Sequence, residues 1–187
     1  LKAGDEIIGI QGLVRTLTCC LVTSSSKVCL DAIPIPAQTN EMGHFAQAFR
    51  ELIAQYGRSD LFQMVTLDAG FNSAENATLI HDAGYGYLVR LSDERRDLMA
   101  SAIRRLGYLT ADQAAAETKV ELGTTTVTRR LWLADIADVD GWPHIRRVLR
   151  VQSERVGLHG ETVLQDRYFA TSHWARPPSP RLTGWRS

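Results

Sequence analysis

A mixed α/β fold is predicted by three features of the sequence. Short β-branched apolar runs lead the chain, and an amphipathic helical stretch follows them. Next, MVTLDAGFNSAENATLIHDAGYGYLVRL (residues 64–91) has the pattern of strand, turn, capped helix and strand. A strand–helix–strand unit with about a dozen helical residues is a crossover, which requires parallel pairing. The predicted sheet is therefore antiparallel at its start and parallel later.

Taken in order, EIIGIQG (6–12), LVRTLTCCLV (13–22) and KVCLDAI (27–33) are apolar runs separated by glycine or by a serine cluster. Connections this short exclude a crossover helix, so three antiparallel strands are expected. PIPAQTN (34–40) breaks that pattern. Phe45, Ala48, Phe49, Leu52, Ile53 and Tyr56 then recur at helical spacing, with Asn40 as a cap and Gly57 as a stop. LFQMVTLD (61–68) reads as a buried strand. Asn72 and Glu75 have the spacing of a capping box for a helix over 73–83, which Gly84 ends. Residues 85–91 form the next strand, and a further helix is expected over 93–106. Residues 124–135, 144–156 and 161–172 alternate apolar with polar, the pattern of half-exposed antiparallel strands, either appended or inserted. The closing HWARPPSPRLTGWRS has three prolines and no periodicity, and is expected to be irregular.

The 187 residues suffice for one domain with a sizeable core, or one domain carrying a large insertion. Hydrophobic residues make up 44% and charged residues 22%, which excludes a disordered chain. Lysine plus arginine and aspartate plus glutamate both number 21, so net charge neither supports nor excludes a nucleic-acid partner. Local charge is more informative. Arginine pairs gather late in the chain, and Arg129, Arg146 and Arg150 fall on the alternating strands, where cations can contact phosphate. The competing reading is that they cover solvated faces. Cys19, Cys20 and Cys29 lie in apolar runs without C-x-x-C spacing, so reduced core thiols are expected instead of a zinc site or disulfides. No run approaches the roughly 18 apolar residues of a membrane span, and the amino end has no signal-peptide pattern, so a cytoplasmic protein without a membrane partner is expected.

Candidate chemistry centres on Asp68. At the carboxyl end of a parallel strand, a side chain faces the crevice where α/β proteins place their sites. An aspartate there also serves as an ordinary turn or cap residue. Asp31, within the third strand, is expected to face solvent, because an unpaired buried carboxylate is costly. The five histidines show no metal-binding spacing, and Gly84 and Gly86 lead into a strand, which excludes a dinucleotide fingerprint. Neither a phosphate-binding P-loop nor a serine nucleophile elbow occurs. A small-molecule enzyme would need polar groups converging near Asp68.

Three antiparallel strands, helix, strand ending in aspartate, helix and strand is the β-β-β-α-β-α-β order of the ribonuclease H-like fold. The sequence resembles insertion-sequence transposases of the DDE type. LDAIPIPAQTNEMGHF resembles the family's entry into its first helix, and VTLDAGFNSAENATLIHDAGYGYLVRL its second-acid segment. WPHIRRVLRVQSER followed by DRYFATS resembles its later strands. The resemblance implies Mg²⁺- or Mn²⁺-dependent cleavage and transfer of DNA strands at transposon ends, with Asp68 as a catalytic, metal-binding acid. Two metals about 4 Å apart activate the attacking oxygen and stabilise the leaving one. Gln11 stands where the family's first acid is expected, and Leu13 where a lysine would follow it. The segment from 173 onward contains no acid, so the third acid and the final helix are expected to be missing.

The expected organisation is a partial catalytic core over 1–110, an antiparallel β insertion over 111–172 and an irregular tail over 173–187. The expected function is that of a transposase-family protein lacking activity by itself. The alternative is a non-catalytic DNA-binding or regulatory protein acting on DNA, on a full-length transposase or on a second copy of itself.

Overall fold

A computed structural model describes residues 2–3, 6–7, 15–22, 27–59, 61–92, 97–137, 139, 141–142 and 144–172. They divide into two compact units, Leu1–Gln63 and Met64–Ser187, with mixed α/β content. Among the described residues, no helix is long and apolar enough to cross a membrane.

In the first unit, β1 (Lys2–Ala3) pairs antiparallel with β2 (Glu6–Ile7), and β3 (Thr16–Val22) pairs antiparallel with β4 (Lys27–Pro34). The second and third predicted strands are thus a hairpin. The rest of the first, with Gln11 and Leu13, lies outside the described residues. Helix α1 (Glu41–Tyr56) begins where expected, because the Asn40 side chain accepts from the Gly43 N–H at 2.8 Å. Gly57 ends it in right-handed geometry, φ −61°, and donates to the Ile53 carbonyl at 2.9 Å. No left-handed cap is needed. The helix buries Phe45, Ala48 and Phe49, with the two rings stacked at 5.8 Å, while Ile33 and Ile35 are buried at the end of β4 and just beyond it. The Tyr56 hydroxyl donates to the Leu30 carbonyl at 3.2 Å, tying the last turn to β4.

The expectation of core thiols needs correction here. Strand alternation turns Leu17, Cys19 and Leu21 partly inward and leaves Cys20 exposed, opposite the exposed Cys29. Burial, followed by the charge of Asp31, pushes the Cys19 thiol up. Asp31 itself is half-buried, and its Oδ1 accepts from the Ala32 N–H at 2.7 Å.

Among its described residues, the second unit has one six-stranded mixed sheet, two α-helices and two short 3-10 turns. Strand β5 (Met64–Leu67), α2 (Ala74–Asp82) and β6 (Gly86–Leu91) form the expected crossover, with β5 and β6 parallel. Helix α3 (Asp97–Leu106) follows, then β7 (Ala116–Leu122), β8 (Thr125–Asp135), β9 (Arg147–Val156) and β10 (Thr162–Thr171). The spatial order is β5-β6-β10-β9-β8-β7, with every pairing beyond β6 antiparallel. The three alternating runs of the sequence are therefore continuous with the parallel pair, joined where β10 lies beside β6. The Thr171 hydroxyl donates to the Tyr87 carbonyl at 2.6 Å, and the Tyr87 N–H to Ser172 Oγ at 3.1 Å, closing that seam. Strand β7 was not anticipated: all its residues are exposed, so no half-buried pattern marks it.

The cap of α2 also differs from expectation. Ser73, not Asn72, is the N-cap, with extended backbone and its Oγ accepting from the Asn76 N–H at 3.1 Å. Asn72 instead ends the short 3-10 turn Ala69–Phe71, its N–H bonded to the Ala69 carbonyl. That turn shifts the helix start by one residue, so the capping-box spacing no longer applies.

Register across the antiparallel strands sets Leu91, Tyr168, Arg150 and Trp132 in one row on one face. Arg150 is the keystone of that row. Its Nε and Nη2 donate to the two Asp166 carboxylate oxygens at 3.0 and 3.1 Å. Its Nη1 donates to the carbonyls of Leu106, Gly107 and Leu109 at 3.1, 3.3 and 3.2 Å. The guanidinium carbon lies 4.7 Å from the centre of the Trp132 ring, and Trp132 Nε1 donates to the Thr110 carbonyl at 2.9 Å. The Gly107 and Leu109 carbonyls just past α3 are thus satisfied by an arginine from the sheet, which also gives the Leu106 carbonyl a second donor beside the Leu109 N–H. Helix α3 buries Leu98, Met99, Ala102 and Leu106.

Removing the Arg150 guanidinium leaves the Gly107 and Leu109 carbonyls without this donor, and leaves Asp166 with only the Gln152 amide at 3.1 Å and the Leu106 carbonyl with only the Leu109 N–H at 3.3 Å. Arg150→Met should lower unfolding free energy by about 3 kcal/mol. Arg150→Lys should recover only part of that, since an ammonium cannot make the forked contact. Urea unfolding followed by circular dichroism measures both, and a loss under about 1 kcal/mol for Arg150→Met would show that the network is not critical.

Candidate functional site

Asp68 directly follows β5, at its carboxyl end. Its extended backbone opens the 3-10 turn Ala69–Phe71, and its Oδ1 accepts from the Ala69 N–H at 2.7 Å. In the parallel register Leu67 lies opposite Val89, which brings Arg90 of β6 alongside Asp68. Arg90 Nη1 is 3.3 Å from Asp68 Oδ1, with the two side chains 40% and 74% exposed. The Ala69 N–H holds the carboxyl below its ordinary value, followed by the hydrogen bond and charge of Arg90 and the charge of Arg167 on β10. Asp68 therefore serves as a turn-capping residue whose same Oδ1 also meets Arg90, in a largely exposed side chain that feels the charge of Arg167.

Arg90 and Arg167 belong to a larger pattern. On the sheet face opposite Arg150, each of five successive cross-strand rows carries one arginine. Arg147 lies with Thr171 and Asp135, and Arg90 with Phe169, Leu149 and Leu133. Arg167 lies with Val151 and Leu131, Arg129 with Gln165 and Ser153, and Arg155 with Val163 and Val127. Rows two residues apart along a strand are about 7 Å from one another. Arg129, Arg155 and Arg167 are exposed; Arg147 is paired with Asp135 at 2.7 Å and is largely covered. Glu117, Glu121, Glu154 and Asp166 lie on the other face by the same register. Pleating has separated the charges of a neutral chain, and these strands present a cationic face.

The arginines singled out from sequence have three different fates. Arg129 is on the cationic face. Arg146 precedes β9 and is exposed, with its Nη1 donating to the Ile145 carbonyl at 3.4 Å. Arg150 points the other way, into the α3 network, and its guanidinium is already held by protein acceptors. The phosphate-contacting role expected for Arg150 does not fit that placement. Its neighbour in kind is Arg130, locked between Glu117 and Glu154 at 2.7 Å each. Arg90, Arg155 and Arg167 were not picked out from sequence. The available signal was their odd or even position relative to Arg129, but it becomes legible only once register is known.

The metal chemistry implied by the transposase resemblance needs several anionic oxygens around each ion. Asp68 can offer one carboxylate, but Arg90 already occupies its Oδ1, and Arg167 adds a second positive charge nearby. Among the described residues, no group of three or more His, Cys, Asp or Glu side chains could hold a metal ion. Gln11 lies outside the described residues. The described surroundings of Asp68 fit an anion better than a pair of divalent cations. Comparison with protein-family models and with curated proteins gives no match.

Because the native state depresses the Asp68 pKa, the associated stability is present above the ordinary carboxylate value and is lost as pH falls through the lowered one. An NMR titration of the Asp68 carboxyl should show a midpoint below the ordinary range. Arg90→Gln should raise that midpoint only partway, because the Ala69 N–H is the larger cause. Full reversion to the ordinary value in Arg90→Gln would reverse the ranking of the two causes.

Proposed function

We propose that this chain is a transposase-derived protein of ribonuclease H-like type that binds DNA through the arginine face of its second unit and does not cut it alone. Asp68 takes the place of the second DDE acid. The single observation that carries the DNA-binding part is the row-by-row arginine array on one sheet face, where Asp135 is the one acid of β7–β10, while Glu117, Glu121, Glu154 and Asp166 are turned to the other. Phosphate contacts by arginine supply the sequence-independent part of DNA affinity. Half-buried apolar residues between the arginines, including Phe169 and Leu149, give the face a rigid floor.

The ribonuclease H-like reading is supported by the strand–helix–strand unit with Asp68 at the carboxyl end of its first strand, and by the resemblance of the TLDAGF segment to the family's second-acid segment. The non-catalytic reading is supported by Gln11 at the first-acid position and by arginines beside Asp68. In this reading Asp68 and Arg90 help orient the phosphate-binding face, and transposon-end DNA is the natural ligand.

Fluorescence anisotropy with a short duplex tests the proposal. Binding should weaken steeply with salt, and Arg129→Gln, Arg155→Gln and Arg167→Gln should each flatten the log–log slope by about 0.9. Glu121→Gln, on the opposite face, should leave the slope unchanged. Supercoiled plasmid with Mn²⁺ should stay intact in the same preparation. Salt-insensitive binding would overturn the DNA reading, and nicking abolished by Asp68→Ala would overturn the non-catalytic one.

A further inference from the structure

We propose that the outer edge of β7 pairs antiparallel with β7 of a second copy of this chain, in the register that sets Lys119 opposite the partner's Glu121. Strand β7 is last in the sheet order, so no other described strand lies on its outer side. All of Ala116–Leu122 is exposed, and Val120 and Leu122 leave 42% and 58% of their surface in water. An edge strand of this length, with unpaired backbone groups and exposed apolar side chains, is a template for another strand.

The charges of AETKVEL decide which strand it suits. Glu117, Lys119 and Glu121 share one face, and Ala116, Thr118, Val120 and Leu122 share the other. A lysine on an edge commonly blocks pairing, and here it does block one register. A two-fold axis through Lys119 would set Lys119 against itself and Glu117 against the partner's Glu121, like charges in direct opposition. An axis through Thr118 would set Glu117 against the partner's Lys119. Glu117 is already bonded to Arg130 at 2.7 Å, and that register leaves Leu122 unpaired.

An axis through Val120 meets neither objection. It places Val120 against the partner's Val120, Leu122 against the partner's Thr118, and Lys119 against the partner's Glu121 on both sides of the axis. Among the described residues, Lys119 and Glu121 make no ion pair within the chain, so both are available for this contact. The segment is complementary to itself in charge and sets apolar Val120 on its own copy, as an isologous interface requires. A second copy fits it better than an unrelated strand. The pairing continues the six-stranded sheet across the axis and does not depend on the DNA reading.

Sedimentation velocity of the full chain over a range of concentrations tests the register. The unsubstituted chain should show reversible, concentration-dependent dimerisation. Lys119→Glu and Glu121→Lys should each weaken it roughly ten-fold, because both symmetric pairs turn repulsive. The double substitution should restore it. All the substituted side chains are exposed, so the fold is expected to tolerate each change, and circular dichroism verifies that. A chain that stays monomeric at every concentration overturns the proposal, as does a dimer that neither single substitution weakens. Failure of the double substitution to rescue overturns the register, because only pairing of Lys119 with Glu121 survives the exchange of the two.

Discussion

The fork of hydrogen bonds from Arg150 is the contact on which the second unit depends. Three carbonyls at and just past the end of α3 and one carboxylate on β10 converge on a guanidinium from β9, which also lies over the Trp132 ring of β8. One buried cation thus fixes a helix end against three strands. Burying that charge is costly unless it is paired and hydrogen-bonded, and here it is both. Asp166 therefore has to sit on β10 in register with Gln152, diagonal to Arg150, as it does. The strand register is constrained by this chemistry as well as by the backbone ladder.

The same register determines what the opposite face can be. Because successive strand residues alternate, holding Arg150 inward on β9 sends Arg147 and Arg155, at odd spacing from it, to the other side. Arg130, held by Glu117 and Glu154, likewise forces Arg129 outward. The Arg129–Arg130 pair is therefore divided, Arg130 neutralised by Glu117 and Glu154 and Arg129 turned to the other face. A chain with no net charge can carry a cationic surface in this way, and its composition gives no hint of it.

Asp68 shows a related coupling between local and long-range structure. Its turn-capping bond to Ala69 is local and needs only the sequence that follows it. Its ion pair with Arg90 needs the parallel alignment of β5 and β6, and its proximity to Arg167 needs β10 to return beside β6. The residue that looked like a lone acid thus has basic partners, which the local sequence around it does not show.

The sequence alone determined the mixed α/β class, the helix caps set by neighbouring residues such as Asn40, the crossover with Asp68 at its strand end, and the three late strands. Those are consequences of periodicity, turn chemistry and capping, all of which act within a few residues. Ser73 took the cap from Asn72 because a 3-10 turn intervened, and exposed β7 left no burial pattern to detect. Only tertiary structure decided that β10 lies beside β6, that Arg150 turns inward and Arg129 does not, and that Cys20 and Cys29 face each other on the surface. These depend on strand register, and a shift of one residue exchanges the two faces of every strand while leaving its local sequence pattern the same.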